Sequence, residues 1–403
     1  MPVRLILLLA VGLLAVVPGR AGAAGAGAIA LTFNVSARAE GMGGAGVAGV
    51  WGGDTNLWAN PALLAFRPGV RYSTMHSQLV AGLADDIFID KQELTLGYAG
   101  FGLLYGRSPL DHVFLDMGTQ QGTDESGNPT GTFQSWEKSQ AWGVGAGLTQ
   151  LLDAFAGTSL ERWFDLAGGV VWRSFEDHLA PAASIQDPQG GGSGEASSRD
   201  LGWVARVTPL DTRTMVPDLA DSPVGLVLEA AYGKAKQNDT EEFIVHVDAD
   251  QADPLPTAYV SGWSSRVAFV PGGDLTAGLP PAVRDAVTSL FTWNYAEQTI
   301  EPGYIWTGSD YVYEHDESGL RDVDSRGHEF SFLNVLFLRR GHYTDAAGGI
   351  DAPTTGWGLN LPVRRFGGVR YDKATVPQAR GLPTVDRSGW HLWVDVVAIL
   401  DAR

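Results

Sequence analysis

The stretch QELTLGYAGFGLLYGR, Gln92 to Arg107, alternates large apolar residues with small or polar ones. The apolar side of this alternation consists of Leu94, Leu96, Tyr98, Phe101, Leu103 and Tyr105. A period of two sends successive side chains to opposite faces, which is typical of a β-strand between two unlike environments. The alternation breaks at Ala99-Gly100 and resumes with Phe101.

The same period recurs along the chain, for example in WGVGAGLT (142–149), VGLVLEAAYGKA (224–235) and GWHLWVDVVAIL (389–400). Many candidate strands span roughly eight to twelve residues, against about five or six in globular proteins and about 9–11 in a bilayer-crossing strand. Tryptophans lie near the ends of the candidates: Trp142, Trp172, Trp203, Trp263, Trp357 and Trp390. Such placement predicts the aromatic girdles of a transmembrane barrel. A secreted β-sandwich or propeller fits the composition equally well.

Composition narrows the function classes. The chain has 403 residues, 52 of them glycine, and a formal net charge of −18. This acidity argues against a nucleic-acid partner, whose phosphates require basic patches. There is no cysteine, which excludes disulfides, thiolate metal ligands and cysteine catalysis.

The first residues predict export. Arg4 precedes an apolar run from Leu5 to Val17, and the small residues Ala21-Gly22-Ala23 follow. A positive residue, a short apolar run and a small-x-small motif are typical of a cleaved signal peptide, here residues 1–23. Outside the cytoplasm, nicotinamide cofactors and ATP are not freely available.

The stretch RAEGMGGAGVAG, Arg38 to Gly49, raises the question of a cofactor site, since Gly41, Gly43 and Gly46 match G-x-G-x-x-G. That motif binds a dinucleotide only after a strand and at the start of a helix in a βαβ unit. The preceding FNVSARAE is too polar for a buried strand, and no βαβ alternation follows. A structural role is favoured, in which glycine lets backbone segments approach closely.

A longer stretch carries a resemblance. SARAEGMGGAGVAGVWGGDTNLWANPALLAF (36–66) resembles the start of outer-membrane barrels of the FadL-like superfamily, most closely its PorV/PorQ-type branch. The shared elements are the pair Arg38-Ala39, GMGGA (41–45), GVA (46–48), Asp54 and NPALLA (60–65). GHEFSFLNVLFLRRGHYTDAAGG (327–349) and GWGLNLPVRRFGGVRYDKATVPQ (356–378) look like late strands of that branch.

The resemblance implies an all-β fold, a transmembrane antiparallel β-barrel of about 14 strands with a small N-terminal hatch. The pattern itself gives about 12 to 14 candidate strands. The implied division is a signal peptide (1–23), a hatch or plug (24–66) and the barrel (67–403). Hatch residues with an implied structural role are Arg38, Gly41, Gly43, Gly44, Asp54, Asn60 and Pro61.

Several segments interrupt the strand pattern. Near-helical spacing predicts short helices in Leu148–Phe164 and Pro280–Phe291. Polar, turn-rich segments predict surface loops at 120–132, 184–200, 247–256 and 308–327. Glu229 and Asp395, inside candidate strands, are expected to face a polar lumen.

No catalytic constellation emerges. Eight histidines are scattered without the spacing of a helical zinc site. Glu176–His178 is expected on a solvated rim, and Asp248, Asp250 and Asp253 lack the glycine and glutamate of an EF-hand. The sequence predicts no catalytic residue, no cofactor and no metal.

These observations predict a non-enzymatic barrel in the lipid of a Gram-negative-type outer membrane. As in FadL-type barrels, it would pass hydrophobic small molecules when the hatch around Gly41–Asn60 shifts. The alternative is a role in protein secretion or surface attachment, with the barrel receiving a cargo protein as PorV-type barrels do. A secreted soluble β-protein is the third possibility.

Overall fold

The computed structural model describes residues 27–396 and 399, apart from 53, 83, 85, 124–125, 181–191, 247–251, 280–283, 285–286, 309, 364–365 and 379–381. The predicted signal peptide lies outside the described residues, and so does the end of the chain from residue 400.

Long strands dominate the fold. They are β1 (Gly69–Gln78), β2 (Ile87–Tyr98), β3 (Phe101–Gly106), β4 (Val113–Thr123), β5 (Pro129–Gly147), β6 (Phe164–His178), β7 (Ser193–Asp211), β8 (Val224–Asp239), β9 (Phe243–Ile244), β10 (Asp253–Pro254), β11 (Ala258–Pro271), β12 (Phe291–Pro302), β13 (Ile305–Trp306), β14 (Tyr311–Val312), β15 (Val323–Phe332), β16 (Leu336–Asp345), β17 (Ile350–Val363), β18 (Gly367–Val376) and β19 (Val385–Val394). Described α-helices span Ala37–Glu40, Leu148–Ala156, Thr212–Met215 and Gly273–Thr276. Short 3-10 helices span Ile29–Thr32, Pro61–Phe66, Leu160–Arg162 and Pro217–Leu219.

The main sheet closes on itself. Each strand is antiparallel to its neighbours, and β1 pairs with both β2 and β19. β3 and β4 both lie between β2 and β5, so they are two segments of one barrel strand interrupted at residues 107–112. The result is a closed 14-strand antiparallel β-barrel, which confirms the predicted fold class and strand number.

Two further hairpins lie on the connections at one end, which we call the loop end. β9 pairs with β10 in the connection from β8 to β11, and β13 pairs with β14 in the connection from β12 to β15. Tyr313 joins the two connections, since its hydroxyl donates to the Glu242 carbonyl and accepts from the Leu255 amide. The described parts of the two connections are therefore held together at this end of the barrel.

A ring of aromatic side chains surrounds the outside of the barrel. Cross-strand neighbours touch around it: Trp142 and Trp172 stack with ring centroids 4.2 Å apart, Trp263 and Tyr295 are 5.0 Å apart, and Tyr371 and Trp390 are 4.7 Å apart. Below this aromatic ring the outward residues of β6 are apolar or glycine down to Phe164. At about 3.3 Å per residue and a tilt of roughly 40°, the apolar belt is about 20 Å tall.

The aromatic ring corrects one expectation. The tryptophans were predicted at strand ends, but Trp142 and Trp172 lie inside β5 and β6, which continue beyond them toward the loop end. The reason is that outward residues beyond the ring are mainly polar, as at Lys138 and Glu176, so alternation fades there. Backbone pairing continues without it.

The predicted loops are shorter than expected for the same reason. Most of 120–132 forms the β4–β5 hairpin, 193–200 belongs to β7, and β15 begins at Val323. Residues 184–191 and 247–251 lie outside the described part of the chain. Strand pairing between polar segments leaves no apolar period in the sequence.

The helix prediction for 148–164 is correct for its first half. The helix Leu148–Ala156 ends at Gly157, which has a φ of +67°, and β6 begins at Phe164. Its apolar face is uncovered, with Phe155 77% exposed. For 280–291, β12 begins at Phe291 and most of the preceding residues lie outside the described set. No described helix is long and apolar enough to cross a lipid bilayer.

Candidate functional site in the barrel lumen

Residues 27–68, here called the N-terminal segment, lie against the inward faces of the strands. Their contacts with glycines explain the GMGGA motif. Gly43 has a φ of +78°, and a Cβ on it would lie 2.8 Å from the Arg326 carbonyl oxygen. A Cβ on Gly327 of β15 would lie 2.5 Å from the Met42 carbonyl oxygen. Backbone therefore packs on backbone, which only glycine allows.

The amide groups of this turn bind barrel side chains. The Gly43 amide donates to Thr354 Oγ1 at 2.9 Å, and the amides of Gly46 and Val47 donate to Gln298 Oε1 at 2.9 and 3.0 Å. A phosphate cradle needs such amides for its ligand. Here they hold the turn to β12 and β17. Gly41 lies against Gly356 and Arg339, and Gly44 lies beside Ser325.

Asn60 and Pro61 anchor the other end of the N-terminal segment. Asn60 Nδ2 donates to the carbonyls of Val47 and Trp203 at 2.9 and 3.0 Å, and its Oδ1 accepts from the Ala62 amide at 3.0 Å. Pro61 starts the following 3-10 helix. That helix packs on inward-facing glycines of four strands: Gly102, Gly145, Gly169 and Gly202. Gly233 of β8 lies against the Val47 carbonyl and the Asn60 side chain.

Arg38 joins the segment to the wall. Its guanidinium makes two bonds to the Glu329 carboxylate, Nε–Oε2 at 3.0 Å and Nη2–Oε1 at 2.7 Å. Nη1 of Arg38 also donates to the carbonyls of Trp51 and Asp54 at 2.7 and 2.8 Å. Glu329 is fully buried, so this charged pair fixes two parts of the segment at once.

Asp54 lies in a second ionic contact. Its Oδ1 is 3.5 Å from Arg67 Nη2 and 3.2 Å from His391 Nδ1. Arg67 in turn pairs with Glu93 of β2 at 2.7 Å. The ionic contacts thus continue from the segment to β2 and β19.

Further wall charges complete a buried ionic network across the lumen. Arg339 pairs with Glu329 at 2.7 Å and with Asp372 at 2.6 Å, and Arg370 bonds Asp372 at 2.7 Å. His391, Asp54 and Asp372 could meet at one cation. Because Asp372 already faces two guanidinium groups, repulsion opposes a metal there.

An apolar cluster fills the lumen on the loop side of this network. It combines residues of the N-terminal segment with wall and hairpin residues that are all buried: Ala28, Ala30, Leu31, Val35, Ile89, Val113, Leu115, Phe175, Ile244 and Leu255. The Gly27 amide donates to the Pro254 carbonyl at 3.0 Å, and the Ala30 amide to Glu137 Oε2 at 2.6 Å. The β9–β10 hairpin covers this cluster.

The prediction that Glu176–His178 lies on a solvated rim is only partly correct. His178 ends β6, as predicted, but Asp177 is buried rather than solvated. Asp177 accepts from the Gly194 amide at 2.6 Å and pairs with His246 Nε2 at 2.7 Å. The hydrogen bond to Asp177 raises the pKa of His246 in the β9–β10 connection. Asp253 lies in β10, while Asp248 and Asp250 lie outside the described residues.

Glu229 faces the lumen as predicted, paired with Arg266 at 2.8 Å and Arg206 at 3.4 Å. Sequence reasoning missed the partners of the N-terminal segment, namely Glu329, Glu93 and Gln298. Their only sequence signal is a polar residue at an inward position of an alternating strand. Their pairing is invisible in the sequence because 291 positions separate Arg38 from Glu329.

The molecule is a closed antiparallel barrel whose lumen holds its own N-terminal segment. Comparison with known protein families finds no matching family model, and no curated protein matches. Among solved structures it is similar to the Ralstonia pickettii toluene transporter TbuX, with 10% identity, coverage of 88% of this chain and 95% of that one, and a TM-score of 0.35. It is also similar to a Pseudomonas aeruginosa FadL homologue, with 8% identity, coverage of 89% and 96%, and a TM-score of 0.38.

A third similar structure is the COG4313 outer membrane channel from Pseudomonas putida F1, with 8% identity, coverage of 81% and 95%, and a TM-score of 0.36. At such low identities, residue roles have to be taken from the contacts of this chain itself.

Proposed function

We propose that this protein is a FadL-like outer-membrane channel that lets hydrophobic small molecules pass by diffusion. The observation that carries the proposal is the buried apolar cluster inside the closed barrel, built jointly by the N-terminal segment and the wall. A channel for polar solutes has a water-filled, polar lumen. An apolar lumenal cluster instead offers a hydrophobic compound an environment better than water.

The outside of the barrel supports placement in a membrane. Large apolar residues of the belt stay exposed, such as Leu103 at 38% and Leu361 at 56%. A continuous exposed belt of this size is costly in water and favourable in lipid. The uncovered face of the helix Leu148–Ala156 then lies at the opposite edge of the belt from the aromatic ring, where an amphipathic helix rests on a bilayer surface.

The N-terminal segment contains the described part, residues 27–66, of the proposed hatch, which the implied division places at residues 24–66. Its glycine turn, Arg38 and Asn60 attach it to strands on different sides of the barrel. Passage requires that some of these attachments loosen. Between Ala37 and Asn60 the described residues of the hatch form a single-turn helix and a series of local turns. Their backbone hydrogen bonds join residues at most five positions apart, so each turn can rearrange without breaking strand pairing.

The assignment to the PorV/PorQ-type branch rests on the motifs GMGGA and NPALLA. Their residues occupy the glycine contacts with β15–β17 and the 3-10 helix at Pro61–Phe66. The same two sequence motifs thus form both anchoring points of the hatch. The proposed branch therefore rests on these sequence motifs.

Uptake by cells tests the function. A Gram-negative host that expresses the protein should accumulate a radiolabelled apolar compound faster than the same host with an empty vector. A polar solute of similar size should enter both at equal rates. Equal rates for the apolar compound would contradict the proposal, and a co-purifying exported protein in that case would favour the cargo-receiving alternative.

A further inference from the structure

A groove on the outer surface of the barrel is not explained by transport through the lumen. It has a volume of about 500 Å³ and is lined by residues of β7, β8 and β11. The small residues Gly202 and Ala235 form its floor, and the aromatic residues Trp203 and Tyr259 form its walls. We call it the β8 groove.

The β8 groove lies just beyond the aromatic ring, toward the loop end. Tyr232 belongs to the ring, with its ring centroid 5.7 Å from that of Trp203. Lys234 and Lys236 follow on the same outward face of β8 at two-residue intervals. Cross-strand pairing places Lys234 between Trp203 and Ser261. Apolar and cationic surfaces therefore meet inside one concavity.

The ion pairs around the groove do not include Lys234. Lys236 pairs with Asp239 at 2.6 Å, and Asp239 also bonds Arg199 at 2.9 Å. Within the described part of the chain Lys234 forms no ion pair, and its ammonium lies 6.0 Å from the Tyr232 ring centroid. In a protein of net charge −18, an unpaired lysine next to a second lysine is a local anion site.

A carboxylate in the groove lining, Glu301, does not pair with Lys234. Glu301 pairs with His315 at 2.7 Å. The His315 ring lies against Tyr259, with centroids 4.5 Å apart. This contact forms the upper wall of the groove. Glu301 thus has a partner of its own, and among the described residues it forms no ion pair with Lys234.

We propose that the β8 groove binds the phosphate of a phosphorylated glycolipid in the surrounding leaflet. The phosphate lies between Lys234 and Lys236, and acyl chains run down the wall along Trp203. The inference rests on the proposed membrane placement, because aromatic side chains mark the headgroup level of a bilayer. A free phosphate ion would use the lysines but not the apolar wall, which distinguishes the lipid as the occupant.

Native mass spectrometry of the full-length protein in detergent tests this proposal, with diphosphoryl lipid A as the probe. The double variant Lys234→Gln/Lys236→Gln should retain the lipid about tenfold less than the wild type, since two charge-assisted contacts are lost. The matched control is Lys138→Gln, an outward lysine of β5 that pairs with Glu176 at 3.0 Å. The control should bind like the wild type.

Two further arms identify the chemistry. The dephosphorylated glycolipid should bind about tenfold more weakly than the diphosphorylated one. Excess inorganic phosphate should leave the lipid bound, and its displacement by phosphate alone would overturn the lipid assignment.

Equal lipid retention by the wild type and the double variant would also overturn the proposal. Membrane fractionation and heat-dependent gel mobility of each variant separate this failure from that of the proposed function. A barrel that inserts in the outer membrane but shows equal lipid binding contradicts the groove alone. A protein that is absent from the membrane contradicts the placement itself.

Discussion

At the scale of single residues, Gly43 is constrained both by its positive φ and by its contact with the barrel wall, whereas the control position Gly349 has only the positive φ. The φ of +78° at Gly43 disfavours any side chain, and a Cβ would overlap the backbone of β15 and β16. Gly349 has a φ of +66° and nothing within 4 Å of an added Cβ. Both Gly→Ala changes carry the backbone cost of about 1–2 kcal/mol, and only Gly43→Ala also displaces the hatch.

We therefore expect Gly43→Ala to lower the melting temperature in detergent more than Gly349→Ala does. It should also make the hatch more sensitive to protease. The same fall in melting temperature for both variants would show that the contact of Gly43 with the wall contributes nothing.

Glu329 is the second residue with a specific prediction. Its carboxylate faces the guanidinium groups of Arg38, Arg339 and Arg370. Glu329→Gln removes the charge and leaves Arg38 without a carboxylate partner among the described residues, which costs about 3–5 kcal/mol for a buried pair. Arg339 and Arg370 keep Asp372 as a partner. Because Arg38 also holds the carbonyls of Trp51 and Asp54, the hatch should loosen.

Single-channel recording in planar bilayers measures this effect. Glu329→Gln should show more frequent or larger ion-conducting openings than the wild type. The matched control is Asp324→Asn on the outward face of the same strand, where the carboxylate accepts a hydrogen bond from Thr299 at 2.6 Å. Identical conductance in both variants would refute the anchoring role of Glu329.

The residue scale also shows what a sequence can reveal. The glycines of GMGGA were predicted to allow close backbone approach. Gly43 lies against the backbone of β15, and Gly327 of β15 lies against the backbone of Met42. Their partners were not predictable, because alternation gives the face of a strand but not which inward residue lies opposite the hatch. That information arises only when the barrel closes.

At the scale of elements, the β9–β10 hairpin is held partly by His246. The hydrogen bond with Asp177 raises the pKa of His246. Protonated His246 therefore stabilises the hairpin in its position over the apolar cluster. This contribution is complete below the unfolded pKa of about 6.5. It is lost as the pH rises through the higher folded pKa.

Hydrogen exchange of the hairpin amides should therefore become faster as the pH rises above about 6.5, beyond the intrinsic change in exchange rate. In His246→Gln, which keeps a hydrogen-bond donor without a titrating charge, this extra acceleration should disappear. An unchanged pH profile in His246→Gln would assign the effect to another group.

Elements differed in how well their sequences predicted them. Strands within the apolar belt were clear, since lipid-facing and lumen-facing positions differ in chemistry. Their extensions beyond the aromatic ring, such as the start of β7 at Ser193, read as loops because both faces are polar there. The helix Leu148–Ala156 was predicted from its apolar spacing. Its end at Gly157 was not predicted and is seen only in the backbone geometry.

At the scale of the whole molecule, the aromatic ring predicts a definite depth in a bilayer. Tryptophans such as Trp142 and Trp263, about 40% exposed, should be quenched by brominated lipid acyl chains near the headgroups. Bromines at the bilayer centre should quench them less. Emission that is insensitive to every brominated lipid would contradict the membrane placement.

We expect hydrophobic molecules to pass through the barrel only when the hatch moves. Since the chain has no cysteine, a disulfide can be introduced cleanly between Ala45→Cys of the hatch and Ala296→Cys of β12, two residues that pack in one buried cluster. The control pair, Ala230→Cys/Ser265→Cys, joins the cross-strand neighbours of β8 and β11 on the outside of the wall.

The decisive measurement is the initial rate of apolar compound uptake by cells carrying each disulfide, before and after reduction. If the hatch must move, the oxidised hatch disulfide should stop uptake, reduction should restore it, and the wall disulfide should have no effect in either state. Undiminished uptake through the oxidised hatch disulfide would contradict passage by hatch movement.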